Sequence, residues 1–173
     1  MKRCAAAMAL ALLSACSAPA VQENPAPSSS PASAPEKVHL IPDNYRLTDA
    51  GVLATGNLYW IDIQLRANPA GPTRDYVCLY VFGPDGDLLS YEIVDLGLRS
   101  QDQIRPSTII EEMMQSLPGP LERDIWVRPF TITHDGTRFG LEVREQDGHY
   151  LVDALPGWTL MFYAPWEAGQ YDT

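Results

Sequence analysis

The sequence predicts an α+β domain built mainly on an antiparallel, strongly twisted β-sheet of about seven or eight strands with one helix packed against it, closed as a half-barrel or a small sandwich. Three observations predict it. Gly56–Arg66 and Arg74–Phe82 are rich in β-branched and aromatic residues. Turn signals such as Gly83-Pro84-Asp85-Gly86, Asp135-Gly136 and Asp147-Gly148 separate the apolar runs. One segment alone, after Pro106, carries a helical apolar period.

Taken in order, Gly56–Arg66 alternates. Tyr59, Ile61, Ile63 and Leu65 share one parity and are expected to face the core, while Leu58, Trp60, Asp62 and Gln64 are expected outward. Asn68-Pro69-Ala70-Gly71-Pro72 then breaks the chain. Arg74–Phe82 is almost continuously apolar, as a central strand is, and Leu88–Leu96 returns as its hairpin partner. Pro106 and Ser107 open the helix, and Thr108-Ile109-Ile110-Glu111 has the spacing of a capping box. Ile109, Ile110, Met113, Met114 and Leu117 form its apolar stripe, and Pro118-Gly119-Pro120 ends it. The last third reads as a meander of Asp124–Thr133, Arg138–Glu145, His149–Ala154 and Trp158–Tyr163. Pro129 implies an edge or a bulge in the first of these. Trp166 and Tyr171 are costly to leave in water, so the tail is expected to pack back onto the domain.

The N-terminus has a different character. Lys2 and Arg3 precede an apolar stretch, Ala5–Leu13, that is about half the ~20 residues a membrane-spanning helix needs. It ends in Leu13-Ser14-Ala15-Cys16, which resembles the lipobox of bacterial lipoproteins. The resemblance implies that residues 1–15 are a cleaved signal peptide and that Cys16 becomes the mature N-terminus. Cys16 would carry a diacylglyceryl thioether and a third, amide-linked chain, enough acyl carbon for a stable hold on a lipid bilayer. Ser17 follows the cysteine where enterobacterial lipoproteins retained in the inner membrane have Asp, so the implied address is the outer membrane's inner leaflet, facing the periplasm. Residues 16–37 form the lipidated cysteine and its tether. From Ser17 to Lys37 there are five Pro, five Ser and five Ala, a composition that favours disorder; fully extended it reaches about 65 Å at ~3.1 Å per residue. Residues 38–173 fit one acidic domain.

That domain has nine Arg, no Lys and twenty Asp or Glu, a net −11. Such a balance opposes nucleic acid and other polyanions as ligands and favours either a basic protein partner or simply solubility. Cys78, alone in the domain and inside a strand, reads as a small buried hydrophobe.

No signature of chemistry stands out. His39, His134 and His149 are scattered with no metal-ligand spacing, so neither a metal nor another cofactor is expected. There is no Gly-x-Ser-x-Gly, no phosphate-binding glycine loop and no converging pair of carboxylates, so no catalytic residue is assigned and no enzyme activity is expected. What remains is surface. Outward strand positions carry Asp62, Asp75, Glu92, Asp95 and Glu142 near Trp60, Tyr91 and Trp126. Of these, Asp62, Trp60, Glu92, Tyr91 and Trp126 are the candidate contacts for a basic protein, with charge steering the encounter and rings anchoring it. In size, acidity, tether and lack of motifs the chain resembles in kind the immunity and lysozyme-inhibitor lipoproteins, which implies a non-catalytic module that neutralises a basic envelope-targeting enzyme. The alternative is an envelope assembly or structural accessory lipoprotein.

Overall fold

In the computed structural model the described residues are 33–66, 73–99, 104–157 and 159–173. Cys16, the Asn68–Pro72 break and Trp158 lie outside them.

Antiparallel β-structure dominates. The strands are β1 (Val38–Leu40), β2 (Asp49–Val52), β3 (Leu58–Arg66), β4 (Arg74–Phe82), β5 (Leu88–Leu98), β6 (Leu121–Glu122), β7 (Ile125–Val127), β8 (Phe130–His134), β9 (Thr137–Gln146), β10 (His149–Leu155), β11 (Met161–Tyr163) and β12 (Tyr171–Asp172). The single described helix, α1, spans Pro106–Ser116. One sheet has the order β5-β4-β3-β2-β6, a second β12-β11-β10-β9-β8, and β1 pairs with β7. β4 is central, as its continuous apolar run predicts.

The two large sheets pack face to face, which decides for the sandwich over the half-barrel. Trp60, Tyr76, Cys78, Tyr80 and Phe82 of the first sheet meet Phe139, Leu141, Val152, Ala154 and Phe162 of the second in one buried cluster. Aromatic edges lock it: Tyr76 lies 5.0 Å from Phe139 and Tyr80 4.9 Å from Phe130, both T-shaped. On the opposite face of the first sheet, α1 seats Met113 among Leu53, Tyr59, Ile61, Val77 and Leu79. Burying a methionine of this size contributes about 1.5–3 kcal/mol. Trp166 and Tyr171 pack against the inter-sheet core, so the tail does fold back.

This third layer corrects the reading of β3. Because helix and second sheet cover opposite faces, both parities are buried: Tyr59 and Ile61 face the helix, while Trp60, Asp62 and Gln64 lie inside the domain. The helix start is also corrected. Its N-cap is Arg105, with Pro106 in the first turn and no side-chain capping bond, so the Thr108–Glu111 spacing is not used as a box. The run Asp124–Thr133 is two strands, because Arg128-Pro129 breaks it where the chain passes from β1's partner into the second sheet.

Candidate interaction surface

β5 has a hydrogen-bonding neighbour on one side only, so the other edge of this eleven-residue strand is open among the described residues. Two register shifts against β4 leave Leu89 and Leu96 as extra residues in β5. Such bulges re-aim side chains, and Leu89 is 59% exposed. Tyr91 stands opposite Tyr80 and leans edge-on toward His134 of β8, ring centres 6.2 Å apart, so it bridges the two sheets at their open side. It is 41% exposed. Glu92 stands opposite Leu79 and therefore on the helix side.

That side is acidic. Asp49 pairs in register with Ile61 and Glu122 with Gly51, which places both on the face where α1 packs, together with Glu92 of β5 and the exposed Glu111 and Glu112 of the helix itself. None of these five is ion-paired among the described residues. Most other strand acids are. Asp75 is buried against Arg99 at 2.9 Å, Asp153 against Arg144 at 2.7 Å, Asp95 is bonded to Arg74, and Glu142 meets Arg138 at 2.5 Å. Arginines of the chain thus neutralise much of what reads as acidic strand surface, whereas the five acids on the α1 side keep their charge.

The five predicted contacts therefore do not form one patch. Tyr91 and Glu92 sit together on the open edge. Trp60 and Asp62 are 1% and 3% exposed, so their expected outward orientation does not hold and neither can touch a partner at the surface. Trp126 belongs to β7, half-buried and stacked on His39 with ring centres 4.2 Å apart. There it helps secure the entry of the chain: Trp166 donates its indole N–H to the Ser33 carbonyl at 3.3 Å, and Arg128 pairs with Glu36 at 2.8 Å. His39 meets the Glu167 carbonyl at 2.9 Å and the Asp124 carboxylate at 3.0 Å. Both partners are acceptors, so both bonds form together only when the imidazole carries two protons. The hydrogen bond from His39 is the largest influence holding the Asp124 carboxyl below its ordinary range, against the opposing effect of burial.

Asp62 anchors a polar knot. β2 is four residues long and β3 nine, so the C-terminal half of β3 has no ladder partner on that side. Arg46 fills the gap: its guanidinium donates to the Ile63 carbonyl at 2.6 Å and to Thr159 Oγ1 at 3.0 Å, and lies 3.5 Å from Asp62. Gln64 and the Ile63 N–H also donate to the Asp62 carboxylate. Burial pushes this carboxyl up to about 7, opposed chiefly by the Arg46 charge. Cys78, its cross-strand neighbour, has its thiol pushed up by burial and is no nucleophile.

Compared with known protein families, with curated protein sequences and with solved structures, the chain matches none.

Leu89, the exposed Leu121 beside Glu122, and the pairing of strand acids with arginines escaped the sequence reading. Alternation cannot show them. Each depends on strand order or on a contact distant in sequence, as between Arg99 and Asp75.

Proposed function

We propose that the protein is a membrane-tethered, non-catalytic binding module that captures a basic envelope-targeting protein, an immunity or inhibitor lipoprotein held in the bacterial outer membrane by Cys16 and facing the periplasm. The observation that carries this reading is the α1 side of the first sheet, where five carboxylates free of arginine partners adjoin an open edge strand bearing Leu89 and Tyr91. Charge of one sign on one face raises the encounter rate with a cationic partner. The open ladder and the exposed Leu89 and Tyr91 then hold it, by adding a strand or by burying an apolar anchor.

The test uses the full chain with Cys16→Ser, purified and offered to lysozyme-like hydrolases and to an envelope extract. Stoichiometric inhibition that weakens steeply with salt is expected. Replacing Glu92, Glu111 and Glu112 together by Lys should lower the association rate at least tenfold, and Tyr91→Ala should raise the dissociation rate by a similar factor. Capture of resident envelope proteins with no hydrolase inhibited would sink the inhibitor reading in favour of an assembly accessory. The anchor has its own check. Cys16→Ser is expected to abolish incorporation of labelled palmitate and to leave residues 1–15 uncleaved, so that the protein runs larger on a gel. A protein that still takes up palmitate after this change is not acylated at Cys16.

A further inference from the structure

At the far end of β3 and β4 the ladder places Arg66 directly opposite Arg74. Like charges facing each other across a strand pair repel, so a fold does not place them there for stability. Both guanidiniums line a cleft of about 310 Å³ between the sheets, together with Tyr76, His134, Thr137, Asp95 and Asp135. Arg74 is held by Asp95. Arg66 donates to Thr137 Oγ1 at 2.9 Å and meets no carboxylate among the described residues. Each guanidinium has five N–H donors in a planar fork, and the bonds to Asp95 and to Thr137 use only part of them.

We infer that this cleft is a binding site for a small oxyanion, a carboxylate or phosphate group received by the paired forks of Arg66 and Arg74 with His134 at its rim. An anion between the two arginines would turn their repulsion into two charge-assisted, bidentate contacts. Both carboxylates of the cleft already have partners, Asp95 on Arg74 and Asp135, 95% exposed in its side chain, on His134 at 3.7 Å. A bound anion therefore competes with them for part of the donor set and relies most on Arg66. The domain's net −11 does not forbid the site. Charges beyond about 8–10 Å are screened at physiological salt, whereas the two guanidiniums act at contact. Large polyanions would meet the distant acids as well, so the site is selective for small ligands. It is separate from the α1 side and does not depend on the reading proposed for it.

The test is titration of the full-length Cys16→Ser protein with sodium phosphate, sodium citrate and, at matched ionic strength, sodium chloride, followed by calorimetry and by chemical-shift changes of arginine side chains. Saturable binding of phosphate or citrate with shifts confined to Arg66, Arg74 and their neighbours is expected, and whichever binds tighter names the oxyanion. Arg66→Gln and Arg74→Gln should each weaken it at least tenfold. Arg66→Lys, which keeps the charge and the fold but removes the fork, should weaken it about threefold to tenfold. Chloride producing the same response, or unaltered affinity in Arg66→Lys and Arg66→Gln proteins that melt like the parent, would overturn the site.

Discussion

Arg46→Met is expected to destabilise the domain by about 2–3 kcal/mol at pH 8, because it removes the bonds to Ile63 and Thr159 together with the counter-charge that lets the buried Asp62 ionise there. The cost should shrink to about 1–2 kcal/mol at pH 5, where Asp62 is protonated and only the bonds to the Ile63 carbonyl and Thr159 are lost. The direction follows from linkage. The folded-state pKa of Asp62 is raised from 3.8 to about 7, so between these values the folded chain keeps a proton that the unfolded chain has released. Its contribution is fully present below pH 3.8 and is lost as pH rises through about 7. One such proton corresponds to a slope of at most about 1.4 kcal/mol per pH unit. Urea unfolding of the parent and of Asp62→Asn across pH 4.5 to 8 should show the parent losing stability relative to the variant as pH rises. Parallel curves would mean that Asp62 titrates normally despite its burial. Acids held low in the fold, Asp43 where burial is outweighed by the bonds from Tyr171 and backbone N–H groups and Asp124 by His39, act in the opposite direction, which is why the comparison is made against Asp62→Asn.

Much of this architecture is legible because it is local. Gly83-Pro84-Asp85-Gly86-Asp87 closes β4 onto β5, Asp135-Gly136 and Asp147-Gly148 close the hairpins of the second sheet, and Ile109, Met113 and Leu117 mark the buried stripe of α1. What was not legible rests on contacts distant in sequence. Period-two alternation assigns one face of β3 to solvent, yet a second sheet formed from residues after 130 covers that face and takes Trp60 and Asp62 inside. The same alternation cannot show that β5 is an edge, so Tyr91 and Glu92 were found as surface residues without the open ladder that gives them a use. Nor can it show that β2 stops short of Ile63, which is why Arg46, 17 residues away, must close the gap. The opposition of Arg66 and Arg74 exists only once the register of β3 against β4 is known.

Gly86→Val should be strongly damaging, and Gly56→Val supplies its control. Both glycines have φ near +85°, so a β-branched residue at either carries a backbone strain of about 1–3 kcal/mol. They differ in surroundings. A Cβ at Gly56 would meet nothing within 4 Å, whereas one at Gly86 would lie 2.5 Å from the Trp126 carbonyl oxygen and 3.0 Å from the Val127 Cα. Those neighbours are backbone and cannot swing aside as a side chain would. The turn between β4 and β5 must therefore part from β7, with loss of the bond from the Arg128 N–H to the Gly86 carbonyl at 2.9 Å. Overpacking of this kind adds about 1–3 kcal/mol, and the lost backbone bond adds about 1 kcal/mol more. Thermal melts should place Gly86→Val at least ~10 °C below the parent and Gly56→Val only a few degrees below, at roughly 2–6 °C per kcal/mol for a domain of this size. Equal shifts would mean that β7 yields freely to the turn. Unequal shifts would tie the β4–β5 hairpin, and with it the open edge at β5, to the strand whose Trp126 and Arg128 hold the chain where it enters the domain.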